Sequence, residues 1–504
     1  MTTPATAWPL ENAVFSAAML AHRLPWADAP ARALGLDSLT REGAARGVLA
    51  HLRRSRSGRP VRLRTPFGSF LVPLGPAGTA GLLAAGAAAD ALAPAVRLDA
   101  AGRRHGLHPH VPLPPDAAPP AAAFAGPLAE ELRRVAGARR DDHTLPWEVW
   151  RPGLLRAARR VVAGAAAAED TLLSEVLLRT AAAAGSRAHD GRAAALRRRI
   201  APYLADPEPG TVAAGLASAH AVVPGARTAG AVTSDAGRTE AVLAHTLAVV
   251  SEAAVGTALQ ALALAAAGVP DAAGGPAGAV ALALDVFPPV EAAVHPVRSR
   301  FVWDGTAVEP GTEILAAPAW LRDAADTAPA GRDGVHAGEA GDCPDAAESG
   351  GTGGVRGRAV GSEGPSPLCG SATGCTATAF AALVAEEIVR FFTATARPSL
   401  LSPALTADRI PLTLAPHTLL MAVPPAGTLP AAAPATGPGS YAVLARADAD
   451  RLDTLARGLA DCAAEPGWSG DETGEAFRMR LLDHAERCTR AASDVRAAAR
   501  FLAD

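Results

Sequence analysis

Aromatic residues make up only 4% of this 504-residue chain, with two tyrosines in all. A core built on large rings is therefore excluded, and the abundant alanine points instead to many helices packed through small side chains. An excess of charge is missing too: 47 Lys and Arg against 50 Asp and Glu leave a formal net charge of −3. That balance supplies no bulk field for nucleic acid or anionic lipid, so neither is expected as a partner. Cysteine is sparse. The five (Cys343, Cys369, Cys375, Cys462 and Cys488) are odd in number and show no Cys-x-x-Cys spacing. A disulfide framework and a structural zinc site are both disfavoured, and a reducing cytoplasm fits. Met1-Thr2-Thr3-Pro4 lacks the basic and apolar regions of a signal peptide. No Ser/His/Asp arrangement, phosphate-cradling Walker loop or dinucleotide fingerprint occurs.

What the chain does have is apolar length. Half of it is hydrophobic (49%), enough for a large core. The run AVLAHTLAVVSEAAVGTALQALALAAA (241–267) is long and apolar enough to suggest a membrane span. His245, Glu252 and Gln260 interrupt it, and alanine is only weakly apolar, so the central helix of a large core is the expected reading and no span is expected.

Patterning predicts short helices over 1–60, a hairpin over 61–75 turning at Pro66-Phe67-Gly68, and a helix after Gly75-Pro76. An irregular stretch at 100–126 precedes helices at 127–139, 150–167, 170–184 and 190–205, then a loop at 206–240. After the 241–267 helix comes a shorter one at 277–286, stopped by Phe287-Pro288-Pro289. Three strands follow, with turns at Asp304-Gly305 and Pro310-Gly311. Residues 324–367 hold almost nothing large and apolar and read as a flexible loop. Strand-like RIPLTLAP and TLLMAVP come after a helix at 376–396. Pro, Ala and Gly at 425–440 read as a linker to a charged, amphipathic helical extension at 441–504.

Between these elements lies the segment with the most chemical content, Leu368-Cys369-Gly370-Ser371-Ala372-Thr373-Gly374-Cys375-Thr376. A loop of small residues delivers the Cys375 thiol to the start of an apolar helix. That suits a thiolate approached closely by a flat cofactor and stabilised by the helix N-terminus. A buried structural cysteine in an Ala/Gly-rich protein fits the same residues.

The order of these parts resembles the cytochrome P450 family: helix, Pro288-Pro289-Val290, a strand meander with Pro310-Gly311-Thr312, a small-residue Cys loop, a helix and a last hairpin. The resemblance covers roughly residues 35–424. It implies a mostly α fold with a small β region, forming a single large domain. The expected organisation is an N-terminal segment (1–34), that domain (35–424), the linker, and the C-terminal extension. The resemblance also implies haem b with Cys375 as its axial iron ligand, Gly370 in the cofactor loop, and His295 where a propionate partner stands. Glu252 and Thr257 would be the acid and alcohol of a proton relay. A ferredoxin-type electron donor and a hydrophobic small-molecule substrate would complete a monooxygenase. The Ala/Pro/Arg-rich composition resembles high-GC bacterial proteins, where relatives tailor secondary metabolites.

Departures from the family pattern carry a second expectation. The Glu-x-x-Arg ion pair before Pro-Pro is replaced by Leu282 and Asp285, and the central acid-alcohol positions by Ala253 and Ala254. For a propionate site near 100–112 only Arg103, Arg104, His105, His108 and His110 are available. Such losses suit a degraded relative with little or no haem, serving as a helper or binding partner of another enzyme, with 441–504 as its interface. Cys369 is an alternative thiol, although its spacing from the following helix is wrong. Asp141-Asp142 reads as a charged loop, and Arg197-Arg198-Arg199 as a solvated helix face.

Overall fold

The description rests on a computed structural model that covers residues 4–21, 40–98, 104–106, 111–183, 188–221, 235–321, 368–425, 438–465 and 472–501, apart from scattered positions inside those spans. The expected flexible loop at 324–367, Asp141-Asp142, and Arg103, His108 and His110 lie outside the described residues. The chain divides into two units, residues 1–426 and 427–504.

At the heart of the first unit is the apolar run, now a continuous helical rod: Asp235–Ala248, a π-turn at Val249–Ala254, and Val255–Ala266. Long and apolar enough to cross a membrane, it instead has 89% of its most apolar window inside the protein. A helix apolar on every side is stable in water only when other elements cover every side. The helix Thr376–Thr395 is one cover. Its buried residues Ala377, Phe380, Ala381, Val384, Ala385, Ile388, Val389 and Phe392 recur every three or four positions, the stripe that faces a core. Phe380 meets the edge of Phe124 with centroids 5.4 Å apart, and Phe392 meets Trp150 at 4.9 Å. These few rings join three helices, and aliphatic and small residues fill the rest.

Helices Ala121–Gly137 and Trp147–Ala163 begin earlier than their apolar periodicity predicts, directly after Pro120 and Pro146. Proline at the residue before the helix sets an extended entry without using an amide. A further helix, Val212–Ala221, stands where a loop was expected. Pro207, Pro209 and Gly210 before it and Pro224 after it gave the segment a loop's composition. Its Gly215 explains the placement: a Cβ there would lie 2.3 Å from the carbonyl oxygen of Ala117, so only glycine lets the helix touch that backbone.

Beside the helices lies a seven-stranded mixed sheet. Its order is Ala5–Thr6, Val61–Thr65, Gly68–Val72, Glu313–Ala316, Ala293–Pro296, Val96–Leu98 and Arg104–Gly106. The expected 61–75 hairpin is present, with Val61 opposite Val72 and Thr65 opposite Gly68. Phe301–Trp303 and Thr306–Val308 form a second hairpin turning at Asp304-Gly305. The closing sheet differs from expectation. Ser399–Ser402 and Leu420–Ala422 pair, with Thr144–Leu145 beside them, whereas the described residues of RIPLTLAP form no strand. Its prolines at 411 and 416 lack the amide a ladder needs.

The second unit is a pair of helices, Pro438–Ala464 and Glu472–Phe501. Ala449, Ala456 and Ala463 are buried on one and Ala485, Ala492 and Ala499 on the other, every seventh residue in each case. Arg496 near the end of the second helix reaches Asp450, at 2.9 Å, and Asp453 in the first. The pair is therefore antiparallel, with a seam of methyl groups between the helices.

Candidate functional site

Three elements converge on one buried point. The central rod presents His245, 1% exposed. The loop before the 376–395 helix presents Cys369 and Cys375, both buried. Gly370 adopts a left-handed φ of +63° immediately after Cys369, a turn that a side chain would strain. Cys375 is the residue preceding the helix, and no acidic residue occupies the first helical turn. The Thr378 hydroxyl donates to the Cys375 carbonyl at 2.6 Å and closes that turn.

His245 Nε2 lies 3.3 Å from Cys375 Sγ. With Cys369 Sγ, the three potential ligand atoms all fall within 4.8 Å of one another. Ser371 Oγ stands 3.3 Å from Cys369 Sγ. Two adjacent buried thiols hold one negative charge more readily than two. Cys369 is accordingly held well below the usual thiol range, first because Cys375 donates to it and then because His245 stands beside it. Cys375 is pushed up, because it is the donor and because it is buried, against the opposing pull of the Ala377 and Thr378 amides.

A cavity of about 430 Å³ adjoins this cluster, with His245, Glu252, Gly256, Cys369 and Arg46 among its lining residues. That volume lies in the range of small-molecule pockets. The rest of the wall includes the chain after the 276–286 helix, from Val286 to Glu291, and the loop Thr413–Pro416. Gln260 Nε2 donates to the Leu414 carbonyl at 2.7 Å and ties that loop to the rod.

The residues that sequence reasoning selected do not all meet here. Glu252 borders the cavity, whereas Thr257 is 0% exposed in the core, its hydroxyl without a hydrogen-bond partner. Glu252 is on the cavity wall and Thr257 is not, so the structure does not bring the acid and the alcohol together there. His295 lies on the strand Ala293–Pro296, opposite Ile314, fully buried and not on the exposed strand face that was the alternative. Its Nε2 has no partner, and burial lowers its pKa to about 4. Neither His295 nor Gly370 nor Cys375 is part of the cavity wall; Cys369 is. His245 went unnoticed as a site residue because it reads as an interruption of an apolar run. Its position seven residues before Glu252, two helical turns on the same face, was the available signal.

No family model matches the sequence, and no curated protein matches it. Among solved structures the chain is similar to cytochrome P450s. CYP175A1 from Thermus thermophillus is 17% identical with a TM-score of 0.42, over 80% of this chain and 98% of that one. CYP108D1 from Novosphingobium aromaticivorans is 14% identical with a TM-score of 0.48, over 76% and 94%. The open cytochrome P450 Eryk from S. erythraea is 14% identical with a TM-score of 0.46, over 77% and 97%. The chain's own elements, mostly helical, follow the order that the resemblance to cytochrome P450s implies: central rod, Pro-Pro step, strands, cysteine loop and following helix. The strands differ from the expected meander, since Ala293–Pro296 pairs with Glu313–Ala316 and the hairpin of Phe301–Trp303 and Thr306–Val308 stands apart. Likeness at this identity concerns the fold alone.

Haem, the group such a fold implies, does not fit Cys375 in this arrangement. A porphyrin held by that sulfur must lie between it and the groups facing it. His245 is already in contact with the sulfur at 3.3 Å, and no layer of atoms fits between them. The cavity, moreover, opens on Cys369 and not on Cys375.

Proposed function

We propose that this chain is a P450-like protein that binds a hydrophobic small molecule in its cavity without haem on Cys375, as a helper or binding partner of another enzyme. The observation that carries the reading is the 3.3 Å contact between His245 and Cys375, which takes the place a macrocycle would need. The cavity persists beside it, bordered mainly by aliphatic side chains, with Arg46 and Glu252 as polar anchors for a ligand's polar end. Exposed Leu455 and Met479 in the second unit support a protein partner docking through 441–504. Cytoplasmic residence and a role in bacterial secondary metabolism belong to the same reading.

The second reading is an atypical haem-thiolate monooxygenase with haem b and a ferredoxin-type electron donor. What favours it is Cys375 at the N-terminus of a 20-residue helix, where the positive end of the helix dipole favours a thiolate. The two readings separate on one spectrum. Purified from cells supplied with iron and haem precursor, then reduced and exposed to carbon monoxide, the protein should show no red-shifted Soret band. A stoichiometric band that vanishes in Cys375→Ala overturns the haem-free reading and establishes the thiolate-bound haem that the second reading needs.

A further inference from the structure

We propose that His245, Cys369 and Cys375 form a mononuclear metal site for zinc, with its fourth position facing the cavity. The inference rests on the reading that no macrocycle occupies this point, and it adds a ligand class that reading does not contain.

Spacing makes the first argument. Tetrahedral zinc holds sulfur at about 2.3 Å and imidazole nitrogen at about 2.0 Å, which sets sulfur and nitrogen about 3.5 Å apart and two sulfurs about 3.8 Å apart. Here nitrogen and sulfur stand at 3.3 Å and all three atoms lie within 4.8 Å of one another. Modest side-chain adjustments bring them onto one ion. Ligand chemistry makes the second. Two thiols and one imidazole are a soft, nitrogen-sulfur set that selects zinc over magnesium or calcium, which demand oxygen.

Burial and support make the third. All three side chains are buried, they come from two separate stretches of chain, and the loop between the cysteines is turned by Gly370. Ser371 Oγ, 3.3 Å from Cys369 Sγ, stands where a group that orients a thiolate ligand belongs. Three protein ligands leave one position open. His245 and Cys369 both border the cavity, so the open position faces the space where a small molecule enters. That is the arrangement of a reactive ion, not of a closed structural one. A carbonyl or carboxylate oxygen is the ligand class it would take. Loading is written as one thiolate, one thiol and one Zn²⁺ giving a dithiolate-bound ion and one proton, with no oxidant or reductant required.

Cobalt(II) is the probe. The full-length reduced chain, freed of metal by chelation under argon, is titrated with CoCl2. One equivalent should bring up sulfur-to-cobalt charge-transfer absorption with intense tetrahedral d–d bands, and one equivalent of Zn²⁺ should abolish both. The triple variant Cys343→Ser/Cys462→Ser/Cys488→Ser, whose only thiols are Cys369 and Cys375, should keep the full signal. Cys369→Ser or Cys375→Ser should remove it, and His245→Ala should weaken Co²⁺ binding at least about tenfold. Should those single variants fail to fold, thiol counting on the triple variant decides without them: one equivalent of Zn²⁺ should shield both thiols from a disulfide reagent. Absence of stoichiometric cobalt absorption, or no shielding, overturns the site. A carbon-monoxide Soret band overturns both this site and the haem-free reading; no band and no cobalt signal overturns this site alone.

Discussion

His295 is a residue whose protonation the fold opposes. It lies in the middle of a strand with an unpartnered ring nitrogen, and burial lowers its pKa to about 4, against 6.5 in the unfolded chain. The sign follows from linkage. Between those values the unfolded chain binds the proton and the folded chain does not, so stability is complete above about pH 6.5 and falls as the pH drops towards 4. The full effect is up to about 3 kcal/mol, set by the size of the shift. Urea unfolding at pH 7 and pH 4.5 should show this slope in the wild type and a shallower one in His295→Phe; equal slopes in the two proteins would refute it. Sequence showed this residue as a strand histidine but could not show its depth. Register with Ile314 is set by non-local pairing. His245 was hidden for a related reason: its partners lie 124 and 130 residues further along the chain.

Among the elements, the central rod is the most unusual, because of the π-turn at Val249–Ala254. A π-turn accommodates one residue more than the α-helix it interrupts, while both flanking halves keep their own faces. Deleting Ala254 should therefore restore an unbroken α-helix with His245 and Gln260 still facing as they do. Deleting Ala261 should turn one half by about 100° against the other and carry buried side chains out of the core. Thermal melts followed by circular dichroism should place ΔAla254 within a few degrees of wild type and ΔAla261 far below it, or unfolded. A similar loss in both would show that the turn is not the site of the extra residue. Sequence exposed the rod through sheer apolar length, and the cysteine helix through its periodic stripe. It missed the 212–221 helix because flanking proline and glycine masked it. It misplaced the first strand of the closing pair because RIPLTLAP has strand-like side chains on a backbone with too few amides.

At the scale of the whole chain, the resemblance read from the order of elements agrees with the fold, since that order depends on local punctuation that sequence carries well. What it carried poorly was whether the site remained open. Closure arises from a contact between His245 and Cys375, distant in sequence, that no motif records. The division at residue 426 also has a consequence for stability. The first unit holds the large helical core and both clusters beside the sheet, whereas the described part of the second buries few side chains larger than alanine. A chain ending at Ala426 should keep the main calorimetric transition within a few degrees of the full-length value. Collapse of that transition would mean the first unit's core is not self-sufficient.

The alanine seam of the second unit has a further implication. Identical methyl groups at every seventh position match as well after a slide of one heptad as before it, because each tooth looks like the next. Bulky knobs would forbid the slide; alanines permit it. The choice of alignment therefore falls to the short connection between the helices and to Arg496, which finds Asp450 and Asp453 at one setting only. This helix pair is thus a ruler with uniform graduations, and the salt-sensitive Arg496 marks its zero.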